Sequence, residues 1–268
     1  MGNFLGAIAG DIIGSVYEWH NVSNYDNIEL FKDGCHFTDD TVLTCAVAKW
    51  LIEDKELSNE YLAKCLKKLG KKYPGAGYGS KFLKWLHQEG IDPIGSFGNG
   101  SGMRVSPVAY FASDYDEALE LAKKSAEVTH NHEEGIKGAQ AITSAIYMAS
   151  TGANKDEIRE TIKNDFGYDV DRKWEDLVND RHKFDATCQV TVPEAIIAFL
   201  ESTDYIDAIK KAIAIGGDSD TIADMAGAIA GAYYGVPQWV QEAAFSSLTT
   251  ELQNVVTNFE EFIEKKHR

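Results

Sequence analysis

The chain carries no surplus of positive charge. Its 26 Lys and Arg face 42 Asp and Glu, giving a formal net charge of −16. A protein that grips a nucleic-acid backbone needs a basic face, so general nucleic-acid binding is not expected. A small phosphorylated ligand stays open if metal ions or backbone N–H groups supply the positive charge. Paired Cys-x-x-Cys spacing is also missing. Cys35, Cys45, Cys65 and Cys188 sit in apolar, helical surroundings, which suits free thiols in a reducing cytoplasm better than a disulfide framework. The apolar start MGNFLGAIAGDIIG has no basic n-region and contains Asp11, so a signal peptide is not expected. Gly6 stands where N-myristoylation wants Ser or Thr. Asp224 and short apolar runs exclude a membrane-spanning helix. No linker rich in Pro, Gly and Ser divides the 268 residues, so one domain over 1–268 is expected. Strand-type alternation is scarce, and the chain reads as all-α with no short repeat.

What is present concentrates in Gly216 to Gly235, GGDSDTIADMAGAIAGAYYG. Two glycines and Asp218-Ser219-Asp220-Thr221 open a helix expected over 219–234, with Asp218 as N-cap and Gly235 and Pro237 closing it. Two carboxylates and a hydroxyl at one helix start are hard oxygen ligands, suited to Mg²⁺, Mn²⁺ or Ca²⁺ rather than Zn²⁺. An acidic cap with a solvated loop fits this segment equally well. Ala223, Gly227 and Gly231 then recur every four residues. Interior helix glycines cost about 1 kcal/mol each relative to alanine, so they imply close approach of a second helix.

A partner for that seam exists near the start. Residues 4–19 read as a helix with Gly6, Gly10 and Gly14 at the same spacing, and the two seams are expected to pack together. Continuing the ridge places Glu18 at the end of the seam, unless it is a surface acid at a fraying terminus. Phe37-Thr38-Asp39-Asp40-Thr41 opens another apolar helix with Thr38 as N-cap. This second cluster repeats the oxygen vocabulary of the first. Six such groups converging would repel one another without a metal ion, or two.

The rest is helical with polar connections: 57–70, a turn at 74–79, a helix through Phe82 and Trp85, then 115–128, 133–150, 155–164, 193–202 and 204–214. One or two helices close the chain over 238–265. GSFGNGSGMR at 95–104 is glycine-rich. It is no Walker A loop, since no Gly-Lys-Ser/Thr follows, and no dinucleotide fingerprint, since no buried strand precedes it. It reads either as a surface turn or as a nest of N–H groups for phosphate with Arg104 at its rim. His130 and His132 lack partners for zinc, leaving helix capping or a ligand contact.

Together these motifs resemble the ADP-ribosylglycohydrolases, the group that includes the dinitrogenase reductase-activating glycohydrolase. The resemblance covers nearly the whole chain. Its anchors are GAIAGDIIGSVYE at 6–18, FTDDTVLT at 37–44, GNGSGMR at 98–104, THNHEEGIKGAQA at 129–141, TVPEAIIAFLES at 191–202 and the 216–235 stretch. It implies an all-α orthogonal multi-helix bundle with two Mg²⁺ (or Mn²⁺) ions in a central cleft. Thr38, Asp39 and Asp40 would be ligands from one side, and Asp218, Asp220 and Thr221 from the other. Glu18 matches the family's glutamate near the metals and, with Asp39 and Asp220, makes up the expected catalytic set. Gly98, Asn99, Gly100, Ser101, Gly102 and Met103 match the segment that holds diphosphate and ribose. His132 and Tyr78 complete the expected substrate contacts. Glu133 stands where a proline is expected and Gly102 where alanine is usual, which bears on substrate preference more than on hydrolysis. The implied activity is metal-dependent release of ADP-ribose from a modified protein side chain such as arginine or serine, or from a small conjugate. An ADP-ribose-binding module without turnover, a two-metal hydrolase of another nucleotide or phosphate ester, and a purely structural role are the competing readings.

Overall fold

A computed structural model describes residues 3–179 and 184–267. Among them no strand forms, and the one β-bridge joins Gly98 to Thr187. The helices are α1 (Leu5–Gly14), α2 (Asp39–Glu53), α3 (Asn59–Lys72), α4 (Ser80–His87), α5 (Gly100–Met103) and α6 (Ser106–Phe111). There follow α7 (Tyr115–Glu127), α8 (Glu133–Ser150), α9 (Lys155–Phe166), α10 (Trp174–Asn179) and α11 (Cys188–Leu200). The chain closes with α12 (Tyr205–Ile215), α13 (Ser219–Tyr234), α14 (Gln238–Ser246) and α15 (Thr250–Lys266). Several starts are written in the sequence as polar caps. Ser58, Asp114, Asp204 and Thr249 each accept a backbone N–H of the first turn, and Asn154 with Glu157 makes a full capping box. Gly167 ends α9 in the left-handed region at φ 68°.

At the centre lies α1, buried along all ten residues, packed antiparallel on α13. The two glycine seams meet as expected. A Cβ on Gly6 would lie 2.6 Å from the Gly227 carbonyl oxygen, and one on Gly10 2.1 Å from that of Ala223. A Cβ on Gly14 would lie 2.5 Å from the Asp220 Cα. Backbone touches backbone, with no side chain between. Around α13 pack α12, α11 and α8, while α1 also meets α14 and α2. One contiguous apolar cluster runs through these layers.

Three expected boundaries move. The first helix stops at Gly14 rather than near residue 19, because Ser15 turns its hydroxyl back to the Ile12 carbonyl at 2.9 Å. Tyr17 then anchors to the backbone of Glu29. Helix α11 begins at Cys188, so Pro193 lies inside it rather than at its start. The glycine-rich 95–104 stretch is partly helical, since residues 100–103 wind into α5.

Candidate active site

Antiparallel packing of α1 on α13 brings the end of one helix to the start of the other. Gly14 touches Asp220, and Glu18, four residues beyond Gly14, faces Asp218. Helix α2 delivers its own acidic start to the same place. The link is Asp11, a buried carboxylate in the middle of the apolar α1. Its Oδ2 accepts from the backbone N–H of Thr38 at 2.9 Å and of Thr41 at 3.1 Å, and from the Thr41 hydroxyl. Its Oδ1 accepts from the Thr38 hydroxyl at 2.6 Å. Asp11 thus caps α2 from outside, alongside the expected Thr38 cap, whose Oγ1 accepts from Asp40 N.

Two overlapping acidic groups result. Asp11, Asp40 and Asp220 bring ligand oxygens within 4.8 Å of one another, as do Glu18, Asp218 and Asp220. Asp220 belongs to both. Thr221 donates to Asp40 Oδ2 at 3.3 Å. Asp39 lines the same cleft but joins neither group. The expected Asp218 cap of α13 does not form: its side chain makes no capping bond and accepts instead from Asn99 Nδ2 at 2.7 Å.

Electrostatics sharpen the picture. Burial, then neighbouring carboxylates, pushes Asp39, Asp40 and Asp220 well above the ordinary carboxylate range. Asp11 and Asp218 are raised by burial, partly offset by their hydrogen bonds. Glu18 rises to about 7, mainly from burial and then from the charge of Asp218. Asp40 Oδ1 and Asp220 Oδ1 are buried with no hydrogen-bond partner among the described residues. The positive ends of α2 and α13 face this charge, and Lys81 and His36 line the same cleft. Orphaned hard oxygens in a cluster that repels itself fit a metal cation.

The cleft has a volume of about 590 Å³. Glu18, Thr38, Asp39, Asp40, Asp218, Asp220 and Thr221 line it, with Gly98, Asn99, Gly100 and Met103. Four expected substrate contacts lie elsewhere. Ser101 is fully buried and donates to the Gly135 carbonyl at 2.7 Å, and Gly102 faces Met225 in the core. Tyr78 stacks on Phe82, with ring centroids 5.6 Å apart, and does not line the cleft. His132 is exposed, caps α8 and packs on Phe97. The histidine that lines the cleft is His130. Arg104 borders the cleft but is no exposed rim cation: it is fully buried and donates to the Ser125 carbonyl and the Thr129 hydroxyl.

Sequence reasoning missed two carboxylates. Asp11 and Asp224 were read only as charges unsuited to a leader or a membrane span. Both are fully buried, and Asp224, one turn after Asp220, has no partner for either oxygen. The available signal was a lone acid inside each small-residue seam, where burial of a charge demands a reason.

The comparisons agree with this geometry. A family model described as ADP-ribosylglycohydrolase matches residues 1–266. ADP-ribosylhydrolase ARH3 of Gallus gallus is 28% identical, with 94% of this chain and 91% of that protein covered. ADP-ribosylhydrolase ARH3 of Homo sapiens is 27% identical, over 88% of this chain and 85% of that protein. ADP-ribosylarginine hydrolase Tri1 of Pseudomonas putida is 30% identical over 60% of this chain and 47% of its own length. A solved ADP-ribosylglycohydrolase-related protein complex has the same fold, with a TM-score of 0.74 at 21% identity, covering 96% of this chain and 95% of that one. With the match running from the first residues through the last helix, and the acidic helix starts at its heart, the chain belongs to the ADP-ribosylglycohydrolase family.

Proposed function

We propose that the protein hydrolyses the glycosidic bond between ADP-ribose and an acceptor, releasing free ADP-ribose, with 1–268 acting as one domain. The observation that carries this is the double carboxylate cluster sharing Asp220, with Glu18 at its edge. The names of the relatives, ADP-ribosylhydrolase and ADP-ribosylarginine hydrolase, supply the reaction class. Two Mg²⁺ or Mn²⁺ ions would be held by Asp40, Asp220 and Asp218, with Asp11, Asp39, Thr38 and Thr221 completing or orienting the set. When bound, such ions offset the clustered charge and polarise ribose hydroxyls and water.

The chain's own residues do the rest. Burial and the charge of Asp218 raise the Glu18 carboxyl to about 7, so it exchanges its proton near neutral pH, which suits a group that donates to a leaving acceptor and later takes a proton from water. Asn99 fixes the orientation of Asp218. Gly98 and Gly100 let a ligand approach the backbone wall beside His130. Four free thiols are consistent with a reducing cytoplasm. No helix among the described residues is long and apolar enough to cross a membrane.

The test is ADP-ribose release from arginine-linked and serine-linked peptides in Mg²⁺, Mn²⁺ and EDTA, with Asp218→Ala as control. Release from one linkage that EDTA and the mutant abolish is the expected result. Glu18→Gln should lower kcat by about 10²–10⁴-fold while leaving Mn²⁺ affinity intact; full activity would end its assignment. Tight ADP-ribose binding without release would make the protein a binding module. AMP and ribose phosphate as products would make it a phosphoester hydrolase.

A further inference from the structure

In the cleft wall, Arg104, Thr129 and His130 form a buried chain of polar groups whose protons the mechanism above does not assign. Arg104, on the residue after α5, is fully buried and has no carboxylate partner among the described residues. Its Nη2 donates to the Ser125 carbonyl at 2.7 Å and to the Thr129 hydroxyl at 3.0 Å, while Nε and Nη1 make no hydrogen bond. The Thr129 oxygen lies 2.7 Å from Nδ1 of His130. These are the only two contacts of that hydroxyl among the described residues.

The protons in this chain are countable. A guanidinium has donors and no acceptor, so Arg104 gives and Thr129 receives. Thr129 has one proton left to place, and its only acceptor in reach is Nδ1. Nδ1 therefore carries a lone pair. Burial and the nearby guanidinium hold His130 well below its ordinary range, so the ring is neutral and its single proton sits on Nε2. Nε2 borders Gly98 and Gly100: a Cβ on Gly100 would lie 3.1 Å from it. It makes no hydrogen bond to the described residues.

We infer that Arg104, acting through Thr129, is a positioning residue that locks His130 as an Nε2–H donor, so this stretch of cleft wall accepts only hydrogen-bond acceptors such as phosphate or sugar oxygens. The identity of the ligand rests on the proposed function; the tautomer does not. Because the ring is neutral, it selects by direction of donation rather than by charge. A ligand that presents an N–H or a protonated oxygen there meets another donor.

The experiment separates the two. Long-range ¹H–¹⁵N spectra of the ¹⁵N-labelled protein, with His130 assigned by its loss in His130→Gln, should show a pyridine-type Nδ1 and a pyrrole-type Nε2. Thr129→Val keeps the shape of the side chain but removes the relay, and should give a mixture of tautomers. Thr129→Ser should restore the single form. ADP-ribose affinity should weaken about twofold in Thr129→Val, as roughly half of the rings present the wrong tautomer, and recover in Thr129→Ser. Protonated Nδ1 in the unmutated protein, or a spectrum unchanged in Thr129→Val, would overturn the inference. If ADP-ribose binds none of the three proteins, the functional reading fails, and the imidazole spectrum alone decides the relay.

Discussion

The two acidic helix starts look alike in sequence and differ in build. Thr38-Asp39-Asp40-Thr41 is capped twice, by its own Thr38 and by Asp11 reaching across from α1. Asp218-Ser219-Asp220-Thr221 has no side-chain cap, and enters its helix through Gly216 and Gly217 at φ 85° and 72°. At the first start, side-chain hydrogen bonds make the structure. At the second, the backbone seam does so, and the carboxylates are left free of structural duty. The first start is thus fixed by Thr38 and Thr41 on Asp11, with Asp40 Oδ1 left unpaired among the described residues, and the second by backbone packing, with Asp218 accepting from Asn99.

The largest way to break this contrast is Asp11→Ala. It strips acceptors from two buried backbone N–H groups and two hydroxyls, and should cost about 3 kcal/mol in urea unfolding with EDTA present. A loss under about 1 kcal/mol would show that Thr38 alone caps α2. Asp220→Asn should act in the opposite sense. Without metal it removes a repelled buried charge and should raise stability by about 1 kcal/mol, while Mn²⁺ affinity by calorimetry falls at least about a hundredfold. Destabilisation in EDTA would mean that the second start is also scaffold.

The pH dependence sharpens the comparison further. Glu18 is raised from 4.5 to about 7 in the folded protein, and Asp39, Asp40 and Asp220 are raised too. The folded state holds these protons more tightly, so their contribution is fully present below the unfolded values. For Glu18 it is lost as pH climbs from 4.5 through about 7. The lowered carboxyls, such as Glu53 and Asp207, act in the opposite sense at and below their ordinary values. Melting temperature in EDTA should therefore fall between pH 5 and 8, and Mg²⁺ should flatten or reverse the slope. A slope unaffected by Mg²⁺ would remove the cation from this account. The smallest effect is expected for Gly102→Ala. The new methyl would lie 3.1 Å from the Met225 sulfur, a flexible side-chain end, and in ordinary contact at 3.6 Å with Ile142 and Val192, so thermal unfolding should register less than about 1 kcal/mol.

Much of this was legible in the chain. The 3.6-residue periodicity, the caps and the four-residue glycine spacing each carry a local cause, so the helices and the pairing of α1 with α13 followed from them. The acidic starts announced themselves by type and position. What stayed hidden depended on direction. Helix spacing says that Ser101 and Gly102 neighbour Asn99, but not that α5 turns them into the core. His130 and His132 are indistinguishable in sequence; a cap bond to Glu134 claims one and the Thr129 hydroxyl the other. Arg104 read as a surface cation because nothing local reveals that its charge is buried.

The seam between α1 and α13 also has a history in time. Gly6 must find Gly227, more than two hundred residues later in the chain. Until then α1, apolar but for Asp11, has no partner for its closest packing. The earlier helix waits for one made more than two hundred residues later, and the acidic cleft between them cannot exist before both have docked. Such long-range closure slows folding and leaves apolar surface open meanwhile. Truncation before residue 231 should therefore leave α1 unpaired and yield no cleft, read as loss of Mn²⁺ binding by calorimetry.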